Sequence, residues 1–130
     1  MTEGCAETIS LSLPADPRYA GVARIVVGGL AARLNLSYES LDDLQLAVET
    51  LLGEELLVAG ERVELELAVH DSMLGITIGP IDVGAARARL DGGGDLPLQT
   101  VLAAVVDETI VDEATASLRL RKDVPTLQRD

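Results

Sequence analysis

The chain has 130 residues and a formal charge of −12, from 22 acidic and 10 basic side chains. This charge repels phosphate backbones and anionic lipids over about 8 Å at physiological ionic strength, so we exclude nucleic acid and membranes as partners and expect attraction to basic protein surfaces. Aromatic residues make up only 2% of the chain, with no Trp and no Phe, so the core must be built from Leu, Val, Ile and Ala, and platforms for stacking bases are lacking.

The length predicts a single domain over residues 1–130, with flexible ends at 1–6 and 124–130. Cys5 is the only cysteine and cannot form an internal disulfide. The sequence MTEGCAET has neither a basic region nor an apolar run, and no stretch approaches the roughly 20 apolar residues that span a bilayer. We therefore expect a cytoplasmic protein.

The first half of the chain predicts a strand followed by two helices. Polar and apolar residues alternate over 7–13, as in a strand with one face on a core. Asp16 with the following proline marks the cap and first turn of a helix that continues to about Leu34. A second helix is predicted over 40–57, capped by the Ser40 hydroxyl. Its apolar residues recur at steps of three and four: Leu41, Leu44, Val48 and Leu51.

The second half predicts two hairpins separated by a helix. Residues 61–69 and 74–78 alternate as the strands of an antiparallel pair. Over 79–95 glycine, proline and alanine break any period, although AARARL could form a turn or two of helix. A third helix is predicted at 96–106, followed by a closing hairpin of residues 109–111 and 116–120. The solvent face of its last strand is predicted to carry the basic residues Arg119, Arg121 and Lys122.

This order of elements predicts an α+β protein. We expect a two-layer α/β sandwich in which three helices cover one face of an antiparallel or mixed sheet. The core would lie between the helices and that face of the sheet.

Three local sequences carry a resemblance to a known family: LSLPADPRY before the first helix, DDLQLAVE within the second, and GGGDLPLQTVLAAVVDE leading to a hairpin that ends SLRLRK. With this order of elements, the chain resembles the anti-sigma factor serine kinases of bacteria, which belong to the histidine-kinase-like (GHKL) ATPase superfamily. The resemblance covers nearly the whole chain. It implies a layer of helices over a mixed sheet, with ATP held between the helices and a lid loop.

The resemblance implies a catalytic Glu-x-x-x-Asn signature on the second helix, where the glutamate is the general base and the asparagine holds Mg²⁺. In this sequence Thr50 takes the glutamate position and Glu54 the asparagine position. Using Glu49 as the base instead leaves Gly53 at the metal position, and the only asparagine, Asn35, precedes the helix. A glutamate at position 54 could ligate Mg²⁺, but Mg²⁺ demands near-ideal geometry. We therefore expect no catalytic residues and no bound metal.

The family's second signature, Asp-x-Gly-x-Gly, places an aspartate against the adenine amino group. Asp82 and Gly84 match its first part, while Ala86 replaces the last glycine. Because Asp-x-Gly is also a common turn sequence, an ordinary turn explains the same residues equally well.

The third signature is a glycine-rich lid whose backbone amides bind phosphates at a helix N-terminus. Its beginning is matched by Gly92, Gly93 and Gly94. Asp95 and Pro97 stand where the family usually has glycine. They add a negative charge and remove an amide donor, which disfavours tight phosphate binding.

The leading hypothesis is a catalytically degenerate member of this family, a regulatory module that binds another protein without kinase activity. The resemblance implies a sigma factor or a small anti-anti-sigma (STAS-type) protein as partner, and a homodimer. The alternative is an ATP-binding serine/threonine kinase or nucleotide sensor that holds ATP or ADP with Mg²⁺ in a divergent site. A third hypothesis is a self-assembling structural subunit.

Overall fold

The computed structural model describes residues 7–34, 36–53, 58, 62–70, 73–91 and 98–123. Its strands are β1 (Glu7–Pro14), β2 (Arg62–His70), β3 (Met73–Gly79), β4 (Glu108–Asp112) and β5 (Ser117–Asp123). Its helices are α1 (Ala20–Leu34), which follows a 3-10 turn at Pro17–Tyr19, then α2 (Tyr38–Gly53), α3 (Val83–Leu90) and α4 (Leu98–Val105). Every predicted strand and helix corresponds to one of these elements.

The five strands form one sheet in the order β1-β2-β3-β5-β4, with β3 in the centre. The described pairings are all antiparallel. Leu11 lies opposite Leu65, and Leu67 lies opposite Ile76, so the apolar residues of neighbouring strands share one face. Both predicted hairpins are confirmed. All described pairings are antiparallel, so the described strands do not form the mixed sheet that the family resemblance implied.

The helices pack on the apolar face of the sheet. Leu65, Ile76 and Leu118 of the sheet belong to one buried cluster with Leu44 of α2 and Leu102 of α4. The buried apolar side chains of the described residues are all Leu, Val, Ile or Ala, as the composition predicts. The predicted α+β sandwich with helices on one face of the sheet is confirmed. Within the described ranges, no helix combines the length and apolar character that crossing a membrane would need.

The start of α2 differs from the prediction. The helix begins at Tyr38, and the Ser37 hydroxyl accepts a hydrogen bond from the Ser40 backbone N–H at 3.1 Å. Ser37 is therefore the capping residue, and the predicted cap at Ser40 is wrong, since this residue lies buried inside the first turn. The periodic pattern missed the true start because Tyr38 and Glu39 precede its first apolar residue, Leu41.

The segment after β3 turns back against the connection between β4 and β5 before α3 begins. The Ile81 backbone N–H donates to the Ala116 carbonyl at 2.8 Å. A Cβ at Gly79 would lie 2.9 Å from the same carbonyl oxygen, so this close approach requires glycine. An ion pair of 2.6 Å between Arg87 and Glu113 ties α3 to the same connection.

Candidate functional site

The residues expected to form the site lie on elements that meet at α4, which contacts both α2 and α3. Thr50 lies on α2, and Asp82 directly precedes α3. Helix α4 therefore contacts both the helix of the expected catalytic signature and the helix that follows the expected adenine signature. The other expected residues lie outside the described ranges: Glu54, Gly92, Gly93 and Gly94.

The helix position expected to hold the general base carries a half-buried threonine, Thr50. A threonine hydroxyl stays protonated near neutral pH and is not among the usual general bases. The neighbouring Glu49 extends toward α1, where its Oε2 lies 3.2 Å from Nε of Arg24. This pair is partly exposed and contributes little to stability. It nevertheless occupies the carboxylate of Glu49, which would be the general base if the signature were aligned one residue earlier.

The structure tests metal binding at this site only in part, because the residue at the expected metal position is outside the described ranges. Across the described ranges, no three His, Cys, Asp or Glu side chains lie together in a way that could hold a metal ion. Glu54, the residue at the metal position, lies outside those ranges. The expectation that no metal binds there stays a prediction.

Asp82 uses its carboxylate to cap its own helix. Its Oδ1 accepts a hydrogen bond from the Ala85 backbone N–H at 3.1 Å, which makes Asp82 the N-cap of α3. Gly84 lies exposed in the first turn, and a Cβ at this position would meet nothing closer than Asp82 Oδ1 at 3.5 Å. The local fold therefore does not require glycine at position 84. Nucleotide binding by these two residues stays a prediction.

A polar cluster that the sequence did not predict links β5 to two helices. The Lys122 ammonium donates to the Val105 carbonyl at 2.9 Å and to Asp43 Oδ2 at 3.2 Å. Its side chain is only 14% exposed, so its prediction as a solvent-facing residue is wrong, whereas Arg119 is exposed as expected. The signal was present in the sequence, because Lys122 follows Leu120 by two residues and so shares its inward face.

The outer surface of α1 carries exposed apolar side chains. Val22 is 42% exposed and Ile25 is 75% exposed. Gly29, one turn after Ile25, is exposed as well, and a Cβ there would meet nothing within 4 Å. The helix has no acidic residue, and its opposite face packs in the core. Apolar side chains on both faces of a helix are typical of one that a partner covers.

In sequence, the chain is similar to curated bacterial proteins named serine-protein kinase RsbW. The protein from Listeria monocytogenes serovar 1/2a is 29% identical over a 119-position alignment that covers 74% of this chain and 76% of the relative. The protein from Oceanobacillus iheyensis is 50% identical over 40 residues, which is 31% of this chain and 25% of that relative. No protein-family model matches the chain.

In structure, the chain is similar to the RsbU and RsbW domains of Rv1364c from Mycobacterium tuberculosis, solved by crystallography. The two superpose with a TM-score of 0.65 over 92% of this chain, at 12% sequence identity. This chain spans 34% of the length of that longer protein. The likeness shows a common fold, a helical layer over one face of an antiparallel sheet.

Proposed function

We propose that this protein is a regulatory module of the anti-sigma factor kinase family that binds another protein and does not transfer phosphate. Similarity to the RsbW kinases supports the family. Phosphoryl transfer depends on a metal, on positioned groups and on electrostatics. Two features support the loss of activity: the family resemblance assigns Thr50 to the position of the general base, and the neighbouring Glu49 is paired with Arg24 of α1.

The partner that the resemblance suggests is a sigma factor or an anti-anti-sigma protein of STAS type, and the protein would act as a homodimer. The apolar outer surface of α1 around Val22 and Ile25 supports a protein partner, because an exposed apolar patch of this kind is stabilised when another protein covers it. The charge of −12 would also speed association with a basic partner surface.

Calorimetric titration with candidate sigma factors and anti-anti-sigma proteins tests this proposal. We expect a saturable complex with at least one of them, and an affinity lowered by about tenfold or more in Ile25→Glu, because burying an unpaired carboxylate is costly. Ala88→Glu is the matched control, since it adds the same side chain at an exposed position of α3. No complex with any candidate, or wild-type affinity in Ile25→Glu, would contradict the proposal.

The second candidate function is a nucleotide sensor that binds ATP or ADP through Asp82, Gly84 and the segment Gly92–Gly94. The observation that favours it is the exposed position of Asp82 at the start of α3, a helix that contacts α4. Thermal-shift titration with Mg-ATP and ADP distinguishes the two functions. Our proposal predicts no saturable shift, whereas a shift that disappears in both Asp82→Ala and Asp82→Ser would favour the sensor. Asp82→Ser keeps a capping hydroxyl, so it separates nucleotide binding from helix stability.

A further inference from the structure

The end of α1 and the start of α2 meet at one end of the helical layer, which we call the tip. A cavity of about 360 Å³ lies between the two helices there. Its walls include Gly28, Ala31 and Ala32 of α1, Leu41 of α2, and Leu36 of the connection between them. The three residues on α1 leave this space open, because none of them has a side chain larger than a methyl group.

Hydrogen bonds between the walls hold the cavity in shape. The Leu36 backbone N–H donates to the Ala31 carbonyl at 3.1 Å, which closes the end of α1. The Gln45 amide of α2 donates to the Arg24 carbonyl of α1 at 3.2 Å. A Cβ at Gly28 would lie 3.4 Å from this amide nitrogen, so the Gln45 side chain lies alongside Gly28. The cavity is therefore formed in the free protein, as ligand sites usually are.

An exposed aromatic ring and a carboxylate stand beside the cavity. Tyr38 lines it, is one of two aromatic residues in the chain, and is 87% exposed. Asp42 is exposed and follows Tyr38 by four residues, so the two side chains are neighbours on the surface of α2. Leu46, 46% exposed, follows after four more. These residues form a row of apolar, acidic and apolar side chains about 12 Å long.

The charge of Asp42 is not balanced within the described part of the chain. No described residue forms an ion pair or hydrogen bond with its carboxylate. Glu39 lies in the first turn, where the helix dipole favours an acid, but Asp42 lies beyond that turn. Of the basic residues on the neighbouring helix, Arg24 is already paired, and Arg33 lies about 140° around α1 from Gly28. The tip therefore favours a cationic ligand.

We propose that the tip binds a segment of a partner protein in which an arginine stands next to an apolar side chain. The apolar side chain fills the cavity, while the guanidinium lies on the Tyr38 ring and pairs with the Asp42 carboxylate. Arginine fits both groups, because its planar guanidinium stacks on aromatic rings and donates two N–H bonds to one carboxylate. The inference rests on the protein-binding function proposed above and names the chemistry of the bound segment.

The size and charge of the tip argue against other occupants. A volume of about 360 Å³ is near the lower end of the range of roughly 300–1,000 Å³ for ligand clefts, so it suits one apolar side chain better than a large cofactor. Asp42 and Glu39 repel phosphate groups and acidic segments. Because one exposed ion pair and one apolar side chain supply the contact, we expect an isolated short peptide to bind in the millimolar range.

NMR titration of the full chain with short blocked peptides tests the site. The probes are acetyl-Arg-Leu-amide, the same peptide with neutral citrulline in place of arginine, and acetyl-Arg-Gly-amide, which lacks the apolar side chain. We expect saturable shifts of the backbone amides of Gly28, Ala32 and Leu41 with the first peptide. Its dissociation constant should be about fivefold lower than that of the citrulline peptide, and also lower than that of the glycine peptide.

Substitutions at the two exposed residues test the role of each group. Asp42→Lys should reverse the preference, so that acetyl-Glu-Leu-amide binds more tightly than acetyl-Arg-Leu-amide. Tyr38→Ala should weaken binding of the arginine peptide by about threefold. Asp91→Lys is the matched control, because it makes the same charge change at an exposed residue beyond α3, and it should keep the preference of the wild type.

Three results would overturn the inference. The first is equal affinity for the arginine and citrulline peptides, or shifts that exclude the tip. The second is an Asp42→Lys variant that still prefers the arginine peptide. The third is an equal loss of preference in Asp91→Lys, which would show a general effect of charge. Circular dichroism melting curves establish that each variant is folded.

The peptide titration and the titration with candidate sigma factors and anti-anti-sigma proteins fail in different ways. If no candidate binds but the arginine peptide does, the proposed function is contradicted while the tip remains a binding site. If a candidate binds but the peptides do not distinguish arginine from citrulline, the proposed function stands and the inference about the tip is wrong.

Discussion

Lys122 links the sheet to the helical layer through contacts that are largely removed from water. Its ammonium donates to the Val105 carbonyl and to Asp43, and its side chain is 14% exposed. Hydrogen bonds to charged groups contribute about 1.5–3 kcal/mol each. Asp43 is partly exposed, so water can solvate its carboxylate when the lysine is replaced, which limits the loss of stability. We expect Lys122→Met to lower the free energy of unfolding by about 2 kcal/mol in urea denaturation.

Arg87→Met provides the matched control for Lys122→Met. The ion pair between Arg87 and Glu113 is short, at 2.6 Å, but both side chains are more than half exposed. Exposed pairs typically contribute about 0–1 kcal/mol, so this substitution should have a clearly smaller effect than Lys122→Met. Equal losses for the two variants would contradict the role assigned to burial.

Asp16, at the start of the helical layer, makes the free energy of unfolding depend slightly on pH. Hydrogen bonds from the side chain and backbone N–H of Arg18 hold the pKa of Asp16 below its ordinary value of 3.8. Because the folded pKa is the lower one, the stabilisation is present above about pH 4 and is lost as the pH falls through the folded pKa. Asp16→Asn should therefore flatten the acid limb of a plot of unfolding midpoint against pH. A limb of unchanged slope would contradict this assignment.

At the scale of one helix, the structure assigns the cap of α2 to Ser37 instead of the predicted Ser40. Ser37 accepts the capping hydrogen bond, whereas Ser40 lies within the first turn. Ser37→Ala should cost about 1 kcal/mol of unfolding free energy, as loss of a cap typically does. Ser40→Ala should be neutral or slightly stabilising, because alanine has the higher helix propensity. If chemical denaturation ranks the two variants in the opposite order, the cap has been misassigned.

The elements that could be predicted from the sequence are those whose own residues carry the period. Alternation at Val63, Leu65 and Leu67 identified β2, and the same pattern fixed its inward face. Helix α3 could not be predicted in this way, because Ala86 is its only buried residue among the described ones. It is joined to the rest of the fold by Ala86, which lies in the core, and by the ion pair between Arg87 and the distant Glu113, and no local pattern reports such contacts.

At the scale of the whole molecule, the order of elements predicted the fold, whereas the chemistry of the site depended on contacts between distant residues. The family resemblance placed Thr50 on the helix of the expected catalytic signature, but the pairing of Glu49 with Arg24 of another helix could be seen only in the folded chain. The same holds for the sheet face opposite the helices. Alternation predicts that Glu66 and Arg119 are exposed, whereas only the registers of three strands place them at one level.

Phosphate transfer to a bound partner separates a kinase from a protein-binding module. The measurement is incubation of the protein, in complex with an anti-anti-sigma partner, with Mg²⁺ and ATP radiolabelled at the γ-phosphate. Because the family resemblance assigns Thr50 to the position of the general base, we expect the complex to persist and the partner to carry no more label than in a reaction without this protein. Label on a serine or threonine of the partner that appears only when this protein is present would contradict the proposed function.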